Sequence, residues 1–462
     1  MKYQFKLLHR SLFAACFLFG IALTSCLAQQ RPASKPNIVM ILTDDQGWWD
    51  LGVHGNRIVE TPALDRLAAE GVRLSHYYAS PVCTPTRAAL MTGRHYQRTG
   101  AYDTYMGRDT MRVDEVTMGE VLQSAGYRTA LVGKWHLGRY MKYHPNHQGF
   151  DEFFGFWQYG FINDYFDSGE LFEGNQAVET TGYVTDVLTE RAITFIEQNK
   201  DRPFFLDLAY NAPHLPYLVP DRYAEKYLKK GLSLREAQIY GMVNSIDDQI
   251  ARLLKTIDEQ GLRDNTVVIF MSDNGGVSRH FKAGLRGIKG SVYEGGVRAP
   301  FIARYPAQFP PGTVVDAMAQ HIDVLPTLCE LIGAPLPKVH NLDGHSILPL
   351  LRNGSGESPH EYLFHQWNRV RPVLDVPSAV ITAAGSVDGR GALPNWAIRD
   401  RRGYKLVATA AAGQQPITKY ELFDLRSDPG EAKNIAAEHP EVVRRLRDEF
   451  ARWFADVTAG QQ

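Results

Sequence analysis

The chain contains an apolar run that ends in paired carboxylates, Asn37-Ile38-Val39-Met40-Ile41-Leu42-Thr43-Asp44-Asp45-Gln46-Gly47. A short, continuous apolar run of this kind is typical of a strand that is buried on both faces. Three similar runs follow at Thr129–Val132, Phe204–Leu208 and Val267–Met271, and helical patterns such as Thr185–Gln198 lie between them. Strands that alternate with helices predict an α/β fold with a large, mainly parallel mixed sheet flanked by helices.

Polar side chains stand just beyond the end of each of these four runs. In open α/β sheets, ligands bind beyond the carboxyl ends of the strands. One such residue is usually a loop charge or a turn former, but four sets together predict a single polar site. The residues are Asp44 and Asp45, then Lys134 and His136, then His214, and finally Asp273 and Asn274.

The sequence pattern changes near Glu361. Short strand-like segments and a final amphipathic helix predict a smaller C-terminal antiparallel sheet packed with a helix. We therefore expect a catalytic α/β domain over residues 36–360 and an α+β subdomain over residues 361–462. The segments are Glu361–Trp367, Trp396–Asp400, Lys405–Ala408, Tyr420–Asp424 and the helix Pro440–Phe454.

The N-terminus has the pattern of an export signal. A positive start, from Lys2 to Arg10, precedes the apolar run Ser11–Leu23. Leu23-Thr24-Ser25-Cys26 resembles a bacterial lipobox, which predicts removal of residues 1–25 and lipidation of Cys26. Residues 26–35 then form a short linker, and the protein is exported to the periplasm or outer membrane. Ordinary cleavage after Ala28 is the alternative.

Charge and cysteine content narrow the function classes. The formal net charge is −1, so the chain lacks the strong basic excess that binds nucleic acid or an anionic membrane surface. Membrane contact is expected only through the possible lipid anchor. The four cysteines are too few for a disulfide scaffold in an exported protein of this length. Cys329 lies in an apolar helical pattern and is interpreted as a small buried side chain.

Cys83 begins the segment Cys83-Thr84-Pro85-Thr86-Arg87. The early proline and the later Gly93 are the usual boundaries of a short helix. Cys83 is therefore expected at a helix N-terminus, where free N–H groups and the helix dipole favour an anion such as a sulfate or phosphate ester. Arg87, one turn later, could donate hydrogen bonds to the same group.

This segment resembles the Cys-X-Pro-X-Arg signature of the type I sulfatases, in the alkaline phosphatase superfamily. Further stretches resemble blocks of that family and follow in family order from Pro36 to Ala437. These are Asp44–Gly47, Gly133–Gly138, Ala212–Pro216, Ser272–Gly276, Leu285–Arg298 and Tyr420–Asp424.

The resemblance implies a sulfatase, a hydrolase of sulfate monoesters, whose nucleophile is a formylglycine made by oxidising Cys83. A formylglycine-generating or anaerobic sulfatase-maturating enzyme would make that change. One Ca²⁺ ion is implied, although the hard oxygen ligands also suit Mg²⁺. The implied metal ligands are Asp44, Asp45, the residue formed from Cys83, Asp273 and Asn274.

The resemblance also assigns roles to the cationic residues. The hydrated aldehyde at position 83 attacks sulfur with help from Asp273, and the second hydroxyl later loses its proton so that sulfate leaves. Arg87, Lys134 and Lys289 stabilise developing charge, His214 with Lys289 protonates the leaving oxygen, and His136 is the final base. Lys134, His214 and Lys289 are also the implied substrate-binding residues.

Three alternatives are open from the sequence. A phosphomonoesterase or phosphonate hydrolase would use the same superfamily fold, because phosphate esters share the tetrahedral geometry. A non-catalytic lipoprotein that binds sulfated glycans would keep a plain thiol at Cys83. A redox thiol or a Cys83–Cys329 disulfide would need suitable geometry.

A sulfated carbohydrate or polysaccharide is the expected substrate. The loop Trp157–Gly182 is rich in aromatic and acidic side chains that suit sugar recognition, and Pro372–Pro394 is a second candidate loop. Trp48 and Trp49 either form a stacking wall for a sugar or pack against the sheet.

Overall fold

The computed structural model describes residues 35–105, 108–367, 395–409 and 419–459. The described residues from Pro36 onward belong to one compact unit, and none of their helices is long and apolar enough to cross a membrane. The predicted export signal, the lipidation site Cys26 and the loop Pro372–Pro394 lie outside the described residues. The boundary between residues 360 and 361 stays a prediction.

A sheet of ten strands forms the centre of the fold. Its order is β10-β2-β9-β8-β1-β7-β3-β4-β5-β6. The strands are β1 (Asn37–Thr43), β2 (Val72–Tyr78), β3 (Arg128–Lys134), β4 (Glu152–Phe156), β5 (Leu171–Glu173), β6 (Gln176–Val178), β7 (Phe204–Ala209), β8 (Thr266–Ser272), β9 (Phe301–Arg304) and β10 (Thr313–Gln320).

The sheet is mixed but mainly parallel, as predicted. Strand β1 pairs in parallel with both β7 and β8, and β3 pairs in parallel with β7 and β4. Antiparallel pairing occurs at β9, which lies between β2 and β8, and at the last two strands of the order, β5 and the edge strand β6. Every residue of β1, β7 and β8 is buried, as their apolar runs predicted.

Helices pack on both faces of this sheet. Alternate residues of β1 contribute to two separate cores, with Ile38, Met40 and Leu42 in one and Val39 and Ile41 in the other. The helices are α1 (Pro62–Ala69), α2 (Cys83–Thr92), α3 (Tyr96–Thr99), α4 (Met118–Ser124), α5 (Val184–Asn199), α6 (Asp221–Lys229), α7 (Leu234–Glu259), α8 (Glu294–Val297), α9 (Val324–Ile332) and α10 (Leu348–Asn353).

A separate four-stranded antiparallel sheet follows, as predicted. Helix α11 (Pro440–Val457) covers it, and the Phe450 ring stacks on Trp396 with centroids 4.0 Å apart. Aromatic contacts of this kind bury large apolar areas between the helix and the sheet. The strands are β11 (Tyr362–Gln366), β12 (Trp396–Asp400), β13 (Tyr404–Thr409) and β14 (Lys419–Asp424).

The two tryptophans that follow β1 pack against neighbouring side chains. Trp49 is fully buried, and Trp48 stacks on His54 with ring centroids 4.2 Å apart. The Arg298 guanidinium lies 4.3 Å from the Trp48 ring. Of the two readings of these residues, the structure therefore favours packing over a sugar-binding wall.

Candidate active site

The ends of β1 and β8 bring four ligand-type residues together. The two strands pair in register, with Thr43 opposite Ser272, so the residues that follow them are neighbours. The Asp45 backbone N–H donates to Asp273 Oδ1 at 3.2 Å, and Asn274 Nδ2 donates to Asp45 Oδ1 at 2.9 Å. Asp45 adopts a φ of 74°, which turns the chain sharply after the strand.

Helix α2 presents Cys83 to this group. Cys83 is its first helical residue, after Val82 in extended conformation, and Gly93 ends the helix with a φ of 67°. The Cys83 Sγ lies 3.4 Å from Asp44 Oδ1 and 3.4 Å from Lys289 Nζ. The predicted position of Cys83 at a helix N-terminus is therefore observed.

Three cations neutralise the three buried carboxylates. Each pair is enclosed, so its charges attract strongly but have lost much of their hydration. The shortest contacts are Lys134 Nζ to Asp44 Oδ2 at 2.5 Å, Lys289 Nζ to Asp45 Oδ1 at 2.6 Å and Arg87 Nη2 to Asp273 Oδ2 at 2.9 Å.

Burial and neighbouring charges shift the pKa values of Asp45, Asp273 and Cys83. Burial raises the pKa of Asp45, but Lys289 and His214 outweigh that effect and hold the pKa at about 2. Burial and the neighbouring Asp44 raise the pKa of Asp273 to about 6. Burial and Asp44 also raise the pKa of the Cys83 thiol. An unmodified Cys83 would therefore stay protonated at neutral pH, which makes it a poor nucleophile and a poor redox thiol.

The donor set fits a hard divalent cation. Carboxylate oxygens of Asp44, Asp45 and Asp273 and the Sγ of Cys83 all lie within 4.8 Å of one another. Asn274 Oδ1 is buried and has no hydrogen-bond partner among the described residues. A cation would satisfy this oxygen and reduce the repulsion between the carboxylates.

His136 has one free ring nitrogen. Its Nε2–H donates to the carbonyl of Thr104 at 3.0 Å, and its buried Nδ1 has no partner among the described residues. Burial and Lys134 lower the pKa of His136 well below its usual value. The imidazole is therefore neutral, with Nδ1 available to accept a proton.

His214 lies beside the carboxylates. Its Nδ1–H donates to the carbonyl of Leu215 at 2.8 Å, and its Nε2 lies 3.9 Å from Asp45 Oδ2. Burial and Lys289 lower the pKa of His214 to about 3. The Phe161 ring stacks on this imidazole with centroids 6.1 Å apart.

These groups meet at the floor of a pocket of about 560 Å³. Asp45, Cys83, His136, His214 and Lys289 line it, whereas Lys134 is enclosed beneath it against Asp44. Of the three predicted substrate-binding residues, two therefore face the pocket. The walls are formed by Tyr105, Phe161, Leu215, Tyr217, Ile288 and Trp367, with Arg235 also on the lining.

Several residues that position the catalytic side chains were not predicted individually from the sequence. Thr104 acts through its backbone carbonyl, and Gly160 packs so closely that an added Cβ would lie 2.3 Å from the His136 ring. Tyr165 donates from its hydroxyl to the His214 carbonyl at 2.8 Å. Asn211 donates to that hydroxyl at 2.5 Å. Two sequence features lay close to these residues: Gly160 and Tyr165 belong to the predicted loop Trp157–Gly182, and Asn211 directly precedes the block Ala212–Pro216.

The two cysteines of the described chain do not form a disulfide. Both thiols are free and buried, and Cys329 lies on α9 within the core. The redox alternative for Cys83 therefore has no support in this arrangement.

Comparisons with known proteins identify the family of the chain. The Sulfatase family model matches residues 36–334. Arylsulfatase A of Homo sapiens is 35% identical over 477 residues, which cover 92% of this chain and 89% of that protein. N-acetylgalactosamine-6-sulfatase of Mus musculus is 37% identical over 381 residues, covering 74% of this chain and 72% of that protein. A crystal structure of Ps i-CgsB in complex with k-i-k-neocarrahexaose matches with a TM-score of 0.79 at 29% identity, covering 91% of this chain and 93% of that chain.

Proposed function

The chain belongs to the sulfatase family, and on this premise we propose that it hydrolyses sulfate monoesters of a carbohydrate through a formylglycine made from Cys83. The observation that carries the proposal is the position of Cys83. It lies at the N-terminus of α2, on the pocket floor, between the Asp44 carboxylate and the Lys289 ammonium.

Conversion of Cys83 to formylglycine would replace a poorly reactive thiol with an effective nucleophile. A formylglycine at position 83 would supply a hydrated aldehyde, with one hydroxyl to act as the nucleophile and a second whose deprotonation would allow sulfate to be released. As a thiol, Cys83 is held protonated by burial and by Asp44, which raise its pKa. The proposal includes a maturation partner, either a formylglycine-generating or an anaerobic sulfatase-maturating enzyme.

Asp44, Asp45, Asp273 and Asn274 would hold one Ca²⁺ ion beside position 83. Bound there, the ion would supply positive charge that stabilises a deprotonated nucleophile. Arg87 keeps Asp273 in place through its two-nitrogen contact and also donates to the Lys134 carbonyl at 3.0 Å. Mg²⁺ would fit the same oxygen ligands.

The chain's own side chains would divide the remaining work. Lys289 reaches both Asp45 and the position of the nucleophile, so its ammonium would neutralise charge on the sulfuryl oxygens. Lys134, enclosed beneath the pocket, would act through Asp44. The Nδ1 of His136 would accept a proton, because Thr104 binds the other ring nitrogen and Nδ1 has no partner among the described residues.

His214 is the proposed proton donor to the leaving oxygen, together with Lys289. In the free protein, its low pKa keeps the imidazole neutral. A sulfate group in the pocket would add negative charge beside the ring and raise that pKa. The Tyr165 hydroxyl donates to the His214 carbonyl, and the His214 Nδ1–H donates to the Leu215 carbonyl. Nε2 is therefore the ring nitrogen that would protonate the leaving oxygen.

A carbohydrate is supported as substrate by the walls of the pocket and by the relatives. Phe161, Tyr217 and Trp367 offer aromatic faces for a sugar ring, and Arg235 adds a cation. A matched relative is named for N-acetylgalactosamine 6-sulfate, and a matched structure holds a neocarrahexaose. Export to the periplasm or outer membrane, with lipid on Cys26, completes the proposal, and the mass of the mature N-terminus tests it.

A panel of sulfated mono- and oligosaccharides tests the substrate class. We expect sulfate release from at least one sugar with a kcat/KM well above that for an aryl sulfate, and little cleavage of the matching sugar phosphate. Phe161→Ala should raise KM for the sugar more than for the aryl ester. Faster cleavage of phosphate, or equal effects of Phe161→Ala on both esters, would contradict the proposal.

A further inference from the structure

A second cavity, of about 430 Å³, lies where the edge of the large sheet approaches the small sheet. Its lining includes His76 from β2, Asp316 from β10, the hairpin between β12 and β13, and Arg445 from α11. It shares no lining residue with the nucleophile pocket among the described residues. This cavity plays no part in the proposed hydrolysis.

Three of the four carboxylates of this cavity have polar partners. Five arginines and four acidic residues line it, and one of the arginines, Arg426, is already paired with Asp424 outside the lining. The contacts of these carboxylates are Asp400 with Arg445 at 2.5 Å, Asp316 with Ser75 at 2.6 Å and with His76 at 3.1 Å, and Glu357 with Arg401 at 3.1 Å.

Arg399 is the buried cation of the cavity. It is 6% exposed, and the Tyr78 ring covers its guanidinium at 5.1 Å. Its Nη1 donates to His76 Nδ1 at 3.3 Å, while its enclosed Nε has no acceptor among the described residues. Burial lowers the pKa of Arg399 to about 10. This guanidinium therefore has lost hydration without gaining a bonded carboxylate.

His76 is a neutral neighbour of Arg399. Burial, Arg399 and Arg298 lower the pKa of His76 to about 4. Its neutral ring accepts from Arg399 at Nδ1 and donates from Nε2 to Asp316. The ring thus orients Arg399. The Asp400 and Glu431 carboxylates act on its charge through space, but neither forms a hydrogen bond or ion pair with it among the described residues.

Arg402 adds a second available guanidinium. It lies at the turn between β12 and β13, is exposed, and forms no ion pair with any described residue. We propose that this cavity is a second anion site, which binds a sulfate group, free or carried by a saccharide, between Arg399 and Arg402. A guanidinium fork matches the oxygens of such a group, and the volume also admits a sugar ring.

Isothermal titration with sodium sulfate, at constant ionic strength set with chloride, tests the site. Lys289→Ala in the full chain serves as the background, because it weakens sulfate binding in the nucleophile pocket. We expect this variant to bind one sulfate. Adding Arg402→Gln should weaken that binding about tenfold to a hundredfold, since a charge-assisted contact is lost. Adding Arg202→Gln, an exposed arginine outside the cavity, should leave it unchanged.

Arg399→Gln provides a second variant, accepted only if its circular dichroism and melting temperature match the background. It should abolish sulfate binding. Titration with glucose 6-sulfate and with glucose separates the two sources of the anion: binding of the ester but not of sulfate assigns the site to a sulfated saccharide. Equal affinities in the Arg402→Gln and Arg202→Gln variants, or no binding of either anion to the background, would overturn the proposal.

Discussion

The position of the His136 ring depends on the absence of a side chain at Gly160. An added Cβ there would lie 2.3 Å from Cε1 of the imidazole, so Gly160→Ala must displace the ring from its bond to Thr104. We expect kcat to fall about 100-fold, the usual cost of misplacing a catalytic group by about an ångström. Sulfate release measured under saturating substrate checks this.

The matched control is Gly169→Ala in the same loop, where an added Cβ meets only the end of the Glu179 side chain. It should keep the wild-type kcat. Equal activity in both variants would show that the position of His136 does not matter for turnover.

Lys289 is the cation that reaches both the pocket and position 83. Its Nζ lies 2.6 Å from Asp45 Oδ1 and 3.4 Å from Cys83 Sγ. Lys289→Ala should lower kcat/KM about 100-fold to 1,000-fold, as loss of a preorganised donor to a developing anion does. Lys282→Ala, in the same loop but away from the lining, is the control. Similar kcat/KM values for the two variants would show that Lys289 does not stabilise the transition state.

At the scale of elements, the ends of β1 and β8 form the proposed metal site, so calcium should stabilise the folded chain. At a Ca²⁺ concentration about 100-fold above Kd, the gain is about 2.7 kcal/mol. We expect a chelator to lower the melting temperature and abolish turnover, and added Ca²⁺ to restore both. Asn274→Ala should reduce the calcium-dependent part of the shift, because it removes the oxygen that lacks a partner. An unchanged melting temperature in the chelator would argue against the site.

A buried ion triad joins α8 to the small sheet. Lys405 on β13 contacts Glu294 and Glu431, each at 2.9 Å. Burial and Glu294, opposed by Lys405, raise the pKa of Glu431 from 4.5 to about 7. A carboxyl whose pKa is raised on folding favours the folded state below pH 4.5 and loses that contribution as the pH rises through about 7.

Glu431→Gln should remove this pH dependence. The free energy of unfolding of the wild type should fall by up to about 3 kcal/mol more than that of the variant as the pH rises through this window. Urea unfolding at several pH values measures it, with Glu438→Gln, an exposed acid that pairs with Lys433, as control. Identical slopes for Glu431→Gln and the wild type would contradict the assignment.

At the scale of the whole molecule, the sequence predicted those parts of the site that follow regular elements. Asp44, Lys134, His214 and Asp273 could be placed together because parallel strands end at the same edge of a sheet. The two sheets were predicted correctly for a similar reason, since continuous and short strand-like runs have distinct patterns.

Other parts of the site could not be predicted. Thr104 acts through a carbonyl, which any residue type would supply, and Gly160 acts through a missing side chain. Trp367 and Arg235 reach the pocket from distant parts of the chain, so their meeting depends on packing that no local pattern records. The enclosure of Lys134 beneath Cys83 likewise follows from three-dimensional burial and not from its position after β3.

The most direct test of the central claim joins the chemical state of Cys83 to turnover. Several preparations, made with and without a maturation enzyme, would be compared for sulfate release and for the mass of the peptide that contains Cys83. Conversion to formylglycine lowers that mass by about 18 Da, because an aldehyde replaces the thiol. The account predicts activity proportional to the converted fraction, with no activity in Cys83→Ala and full activity in Cys329→Ala. Full turnover by a preparation whose Cys83 is an unmodified thiol would contradict it.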